Sequence, residues 1–129
     1  MKSAVLVFPG INRKRDMARA LKLISGHEPA MVWHGDTALP EGTDLVVVPG
    51  GFSYGDYLRC GAIAARSPVM DAVAEFVRMG KPGMGICNGF HILCEAGMLP
   101  AALIRNNGCH FICQNSYLRV KQNENQFVH

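Results

Sequence analysis

Gly83-Met84-Gly85-Ile86-Cys87-Asn88-Gly89-Phe90-His91 decides the reading of this 129-residue chain. A short apolar stretch, Pro82–Ile86, runs into it and a helical pattern, Asn88–Ala96, runs out of it. The pattern predicts a strand, a sharp turn and a helix, with Cys87 on the turn. Glycines on both sides supply the tight bend and leave room for a close approach. A thiol placed there is exposed at the carboxyl end of a sheet. It also sits at a helix amino terminus, whose dipole and free N–H groups favour negative charge.

Outward from this elbow the chain alternates strands and helices. Val5–Phe8 and Leu45–Val48 are continuous apolar runs, as in strands buried on both faces. Ala30–Trp33 is a further short strand. Asn12 is placed to cap a first helix with Met17, Leu21 and Ile24 on its apolar face, ended near Gly26. Leu39–Thr43 reads as a turn. Ser67 and Pro68 open a second helix, with Val69, Val73, Phe76 and Val77 inward and Gly80 at its end. Gly97 closes the helix after the elbow. Cys109–Val120 reads as strand, the polar segment 121–126 as a turn, and Phe127-Val128 as apolar again. The alternation predicts an α/β fold with a mostly parallel sheet and helices on both faces. Ligands of such sheets bind beyond the carboxyl ends of the strands. Pro9-Gly10, Pro49-Gly50-Gly51 and Gly85–Asn88 all fall at that edge, so three glycine-rich turns are expected to converge on one crevice. Gly50–Cys60 is a long loop of the kind that carries function.

Composition narrows the classes. With 49% hydrophobic and 18% charged residues the chain reads as one soluble domain. A net charge of +3 without a basic stripe speaks against nucleic-acid binding. No apolar run approaches the roughly 18 residues of a membrane span. The amino-terminal run ends at Pro9-Gly10 and reads as a core strand rather than a signal peptide, so a cytoplasmic protein is expected. Five cysteines without regular spacing read as reduced thiols, and Cys109-His110-Phe111-Ile112-Cys113 as a strand rather than a metal site. No metal and no cofactor are expected in the chain. Cys60 is expected to pack at a helix start and Cys94 in the core. His27 and His34 are expected to be solvated, and His110 and His129 to be surface or structural. Arg13, Lys14 and Arg15 read as a solvated face. Tyr54, Asp56 and Arg59 read either as partner or substrate contacts or as residues that order their loop.

Gly85-Ile86-Cys87-Asn88-Gly89-Phe90 resembles the nucleophile motif of class I (triad) glutamine amidotransferases. Phe8-Pro9-Gly10, the run from Pro49 to Arg59 (which contains Gly50-Gly51-Phe52-Ser53-Tyr54-Gly55-Asp56) and Gly61-Ala62-Ile63-Ala64 sharpen this. Together with Leu118-Arg119-Val120 they are similar to the glutaminase subunits of phosphoribosylformylglycinamidine synthases, over essentially the whole chain. The resemblance implies a flavodoxin-like fold, of which residues 1–129 are a single incomplete domain, its amino-terminal part only. It implies that Cys87 attacks the side-chain amide of glutamine. Ammonia then goes to a large synthetase subunit, which uses ATP and Mg to make an amidine in purine biosynthesis. The backbone N–H groups of Asn88 and Gly51 are the implied oxyanion donors. Gly50, Phe52, Gly89 and His91 are the implied substrate contacts. A small third subunit is a further implied partner.

Two departures stand out. The motif usually continues Gly-Phe-Gln, where this chain has His91. Residues 11–16 read Ile-Asn-Arg-Lys-Arg-Asp where relatives commonly have Ser-Asn-Cys-Asp-Arg-Asp. In addition, no residue matches the family's catalytic histidine and glutamate, which lie in a later His-Gly-Glu-like segment. The sequence thus reads as carboxyl-terminally truncated, with little or no activity alone, marginal stability and a tendency to self-associate. One helical turn would bring His91 near Cys87 as a surrogate base, whereas the resemblance implies a position facing the substrate. Two other readings stand beside the enzyme: a non-catalytic fragment that binds the synthetase, and a stress-type α/β protein of the PfpI group with a redox-sensing elbow cysteine.

Overall fold

The computed structural model describes residues 1–121, Glu124 and Phe127. Its strands are β1 (Ser3–Val7), β2 (Ala30–Trp33), β3 (Leu45–Val48) and β4 (Gly83–Gly85). Its helices are α1 (Lys14–Ser25), α2 (Val69–Arg78) and α3 (Asn88–Glu95), with short 3-10 turns at Ser53–Asp56 and Ala64–Arg66. The strands form one parallel sheet in the order β2-β1-β3-β4.

The strand sequences explain that order. Leu45–Val48 and most of Ser3–Val7 are buried on both faces, so β3 and β1 take the centre. β2 keeps Val32 buried and Met31 and Trp33 exposed, as an edge strand does. Alternate residues feed two cores. Val5, Leu45 and Val47 meet Leu21 and Met17 of α1 on one face. Leu6, Val46 and Val48 meet Val69, Val73 and Phe76 of α2 and Ile92 and Leu93 of α3 on the other. Helices on both faces, the parallel sheet and the flavodoxin-like α/β architecture are therefore as the sequence predicts. Each large aliphatic side chain fully buried there contributes roughly 1.5–3 kcal/mol.

Several local expectations are corrected. Arg13, not Asn12, precedes the first turn of α1, and no side chain caps it. Ile24 is 81% exposed and lies off the face through which Leu21 and Met17 meet the sheet. Ser67 does not cap α2; its hydroxyl faces the Tyr54 phenol at 3.4 Å, while Pro68 already has helical angles. Residues 109–120 form no strand. Phe111, Tyr117 and Leu118 are almost fully exposed, and a lone apolar segment has no ladder to complete. Most of the expected turn at 121–126, with Val128 and His129, lies outside the described residues. Gly97 ends α3 as expected. Its N–H donates to the Cys94 carbonyl and that of Met98 to Leu93, a paired closure of the last turn. Among the described residues no helix is long and apolar enough to cross a membrane.

Candidate active site

The site is built on the β4–α3 elbow. After Gly85 the Ile86 N–H still donates to the Val48 carbonyl at 3.0 Å, which keeps the chain beside β3. Cys87 then turns with φ 53° and ψ −112°. That left-handed φ is unfavourable for a residue with a side chain and costs of order 1–3 kcal/mol, so its surroundings must hold it. The Cys87 carbonyl accepts from the N–H groups of Phe90 and His91, which starts α3 directly beyond the thiol. Gly89 packs so tightly that a methyl group there would lie 2.6 Å from the Val48 carbonyl carbon. Cys87 itself is exposed.

The Pro49-Gly50-Gly51 turn lies against this elbow. A methyl group at Gly50 would stand 3.2 Å from the Cys87 Cβ and 3.9 Å from its Sγ. Gly51 has φ 138°, and a side chain there would run into the Asn12 N–H at 2.6 Å. The Arg13 N–H donates to the Gly50 carbonyl at 3.2 Å, and the Tyr54 N–H to the Pro9 carbonyl at 2.7 Å. The three glycine-rich turns therefore do converge at the carboxyl edge of the sheet. Phe52 is 61% exposed at its rim.

The loop after Gly51 is ordered from within. The Tyr54 hydroxyl lies 2.9 Å from His34 Nδ1. His34 is packed among Phe8, Trp33 and Tyr54 rather than solvated, because its N–H continues the sheet pairing to the Val7 carbonyl. His27 and His110 are exposed. Buried Asn88 accepts from the Ser53 N–H and donates to the Asp56 carboxylate. Arg59 grips Glu95 of α3 with two hydrogen bonds, Nε to Oε1 at 2.7 Å and Nη2 to Oε2 at 2.6 Å. Tyr54, Asp56 and Arg59 thus order their loop. The bridging amide of Asn88 had no signature in the sequence, since its partners lie more than 30 residues away.

An open cavity of about 420 Å³ adjoins the elbow, lined by Asp56, Arg59, Cys60, His91, Glu95 and Arg105 among others. His91 follows Cys87 by one turn of α3 and is half-buried. Cys60 sits in the loop, half-buried, rather than at a helix start. Burial first, and then the Asp56 carboxylate, push its thiol above the ordinary value. Cys94 is in the core as expected, and its thiol is also raised, chiefly by burial. Among the described residues no cluster of side chains suits a metal ion.

The hydrogen bond from Arg59 holds the Glu95 carboxyl below its ordinary value of 4.5. A carboxyl depressed on folding stabilises the fold above its unfolded value, and that contribution is lost as pH falls through the folded one. The difference in melting temperature between the native chain and Glu95→Gln should therefore be largest near neutrality. It should shrink as pH drops below about 4.5. Thermal melts from pH 7 to pH 3 measure it, and a gap that stays constant would contradict the pairing.

The family model of the CobB/CobQ-like glutamine amidotransferase domain matches residues 1–129. The chain belongs to this amidotransferase family. It is 71% identical, over 99% of its length, to the phosphoribosylformylglycinamidine synthase subunit PurQ of Nitrobacter hamburgensis, and covers 55% of that protein. It is 57% identical over 99% of its length to the same-named subunit of Zymomonas mobilis, covering 58% of it. A solved structure titled as PurLQS from Thermotoga maritima superposes with a TM-score of 0.76 at 46% identity, over 88% of this chain and 52% of that one. The resemblance drawn from the motifs is borne out. This amidotransferase domain spans about half the length of the curated relatives it matches.

Proposed function

We propose that the chain carries the nucleophile's side of a glutaminase site that feeds ammonia to a phosphoribosylformylglycinamidine synthase. One observation carries this reading: an exposed thiol on a strained elbow, with the Gly50-Gly51 backbone packed against it. The Cys87 sulfur adds to the side-chain amide carbon of glutamine, and the carbonyl electrons move onto oxygen. The N–H groups of Gly51 and Asn88 are the donors for that oxyanion. Neither is used in the turn and cap hydrogen bonds of the described residues. Collapse of the adduct breaks the C–N bond. The leaving nitrogen takes up the proton that the Cys87 thiol gave up and departs as ammonia, and water hydrolyses the glutamyl thioester to glutamate and the free thiol. Gly50, Phe52, Gly89 and His91 shape the substrate's approach, Gly50 by letting the turn close on Cys87 and Gly89 by letting α3 sit against Val48 and so fix the elbow.

Ammonia is passed to a large synthetase subunit that consumes ATP and Mg, in the cytoplasm, with a small third subunit in the assembly. The similarity to a structure titled as PurLQS supports the association with partner subunits. Residues 1–129 act as part of one amidotransferase domain, supported by the family match over their whole length.

Turnover by this chain alone is expected to be low, on the order of 10³-fold or more below a complete triad, because among the described residues none is bonded to Cys87 as a general base with an orienting acid behind it. The first step is separable from turnover. After mixing with glutamine and acid quenching, peptide mapping should find a γ-glutamyl thioester on Cys87. An adduct on another cysteine, or none at saturating glutamine, would overturn the reading.

A further inference from the structure

The side chain of Asn88 is engaged in a way that its place behind the nucleophile does not require. The residue is 3% exposed. Its Oδ1 accepts from the Ser53 N–H at 3.1 Å, and its Nδ2 donates to Asp56 Oδ1 at 2.8 Å. Both partners belong to the loop that follows Gly51. That loop is held in a conformation it does not favour: Tyr54, Asp56 and Leu58 all have positive φ, at 52°, 56° and 68°. Such a segment keeps its shape only where tertiary contacts over-determine it. Tyr54 on His34, Arg59 on Glu95 and Gly61 against the Ile92 N–H fix its far parts. The Tyr54 N–H holds its start to the Pro9 carbonyl, and among the described residues Asn88 is the side chain that ties its first residues to the elbow, directly beside Cys87.

We propose that the Asn88 carboxamide and the Asp56 carboxylate form a positioning clamp that holds the Gly51–Ser53 backbone, and so the Gly51 N–H, in register with the Cys87 thiol. The inference deepens the glutaminase reading and rests on it. The chemistry selects an amide at position 88. A carboxamide accepts from an N–H and donates to a carboxylate at the same time. An aspartate there accepts only, and faces the like charge of Asp56. Neither residue touches the reacting atoms through its side chain; both act through the backbone they hold.

The polarity of the pair supplies the test. Asn88→Asp breaks the clamp. Asn88→Asp combined with Asp56→Asn rebuilds it with donor and acceptor exchanged, since the new carboxylate still accepts from Ser53 and the new amide donates to it. Amide exchange of the peptide containing Ser53 should speed up about tenfold or more in the single variant and return close to native in the swap. Alkylation of Cys87 by a chloroketone analogue of glutamine should slow by about 10²-fold in the single variant and recover in the swap. Alkylation by iodoacetamide, which needs no oxyanion donor of this kind, should change little in either. A swap no better than the single variant in exchange would overturn the clamp, as would equal slowing of both reagents. If glutamine fails to protect Cys87 in the unsubstituted chain, the substrate reading falls while the exchange comparison still decides the clamp.

Discussion

Gly89→Ala is expected to abolish the cooperative fold of this chain. The new methyl group would overlap the Val48 carbonyl oxygen and stand 2.6 Å from the carbonyl carbon, both fixed atoms of the central strand β3. Backbone cannot yield as the end of a flexible side chain can. Relief would require α3 to lift off the sheet, which uncovers Ile92 and Leu93, each contributing roughly 1.5–3 kcal/mol by its burial. It would also part Cys87 from Gly50. The two side chains together come to roughly 3–6 kcal/mol, a large share of the stability of an ordinary domain. Gly97→Ala is the control. Its φ of 70° disfavours a side chain, but a methyl group there meets nothing within 4 Å, so the loss should be about 1 kcal/mol. Denaturant titrations followed by circular dichroism compare the two. A Gly89→Ala chain that unfolds cooperatively with a loss below about 2 kcal/mol would show that α3 does not sit on β3 as described.

Cys87→Ser is expected to remove glutamine-directed labelling almost entirely, by about 10³-fold or more, and to leave the fold unchanged. Serine keeps the Cβ and the strained turn, and the exposed sulfur fills no core. Hydroxyl in place of thiol removes the nucleophile alone. The other cysteines set the design of the experiment. Burial pushes the thiols of half-buried Cys60 and buried Cys94 above the ordinary value, while Cys109 and Cys113 are exposed like Cys87. A general thiol reagent therefore reports the three exposed sites and, more slowly, half-buried Cys60 at the wall of the open cavity. Only a reagent shaped like glutamine singles out the one beside Gly50-Gly51. Labelling that persists in Cys87→Ser would move the substrate site elsewhere.

The features legible in the sequence are those set by local rules. Leu45–Val48 and Val5–Phe8 announce central strands because no polar residue interrupts them. The elbow is legible because glycines at 85 and 89 bracket a cysteine between an apolar run and a helical one. The features that local patterns do not reveal depend on distant contacts. Asn12 has the composition of a cap, yet it packs beside Gly51, and the turn of Gly50 fixes where α1 begins through its carbonyl bond to Arg13. His34 looks like a strand-end residue left to solvent until Tyr54, twenty residues later, folds back on it. Residues 109–120 carry apolar side chains suited to a strand, but pattern alone cannot supply the neighbour that a strand needs. The clamp of Asn88 on Ser53 and Asp56 belongs to the same class. It joins residues that no periodicity links.

The most direct test of the central claim is the rate at which a chloroketone analogue of glutamine alkylates Cys87 with and without glutamine present. Saturating glutamine should suppress that labelling about tenfold or more while leaving Cys109 and Cys113 unaffected, and asparagine, one methylene shorter, should protect far less. Equal labelling of Cys87 with and without glutamine would contradict the assignment of this elbow as a glutamine site.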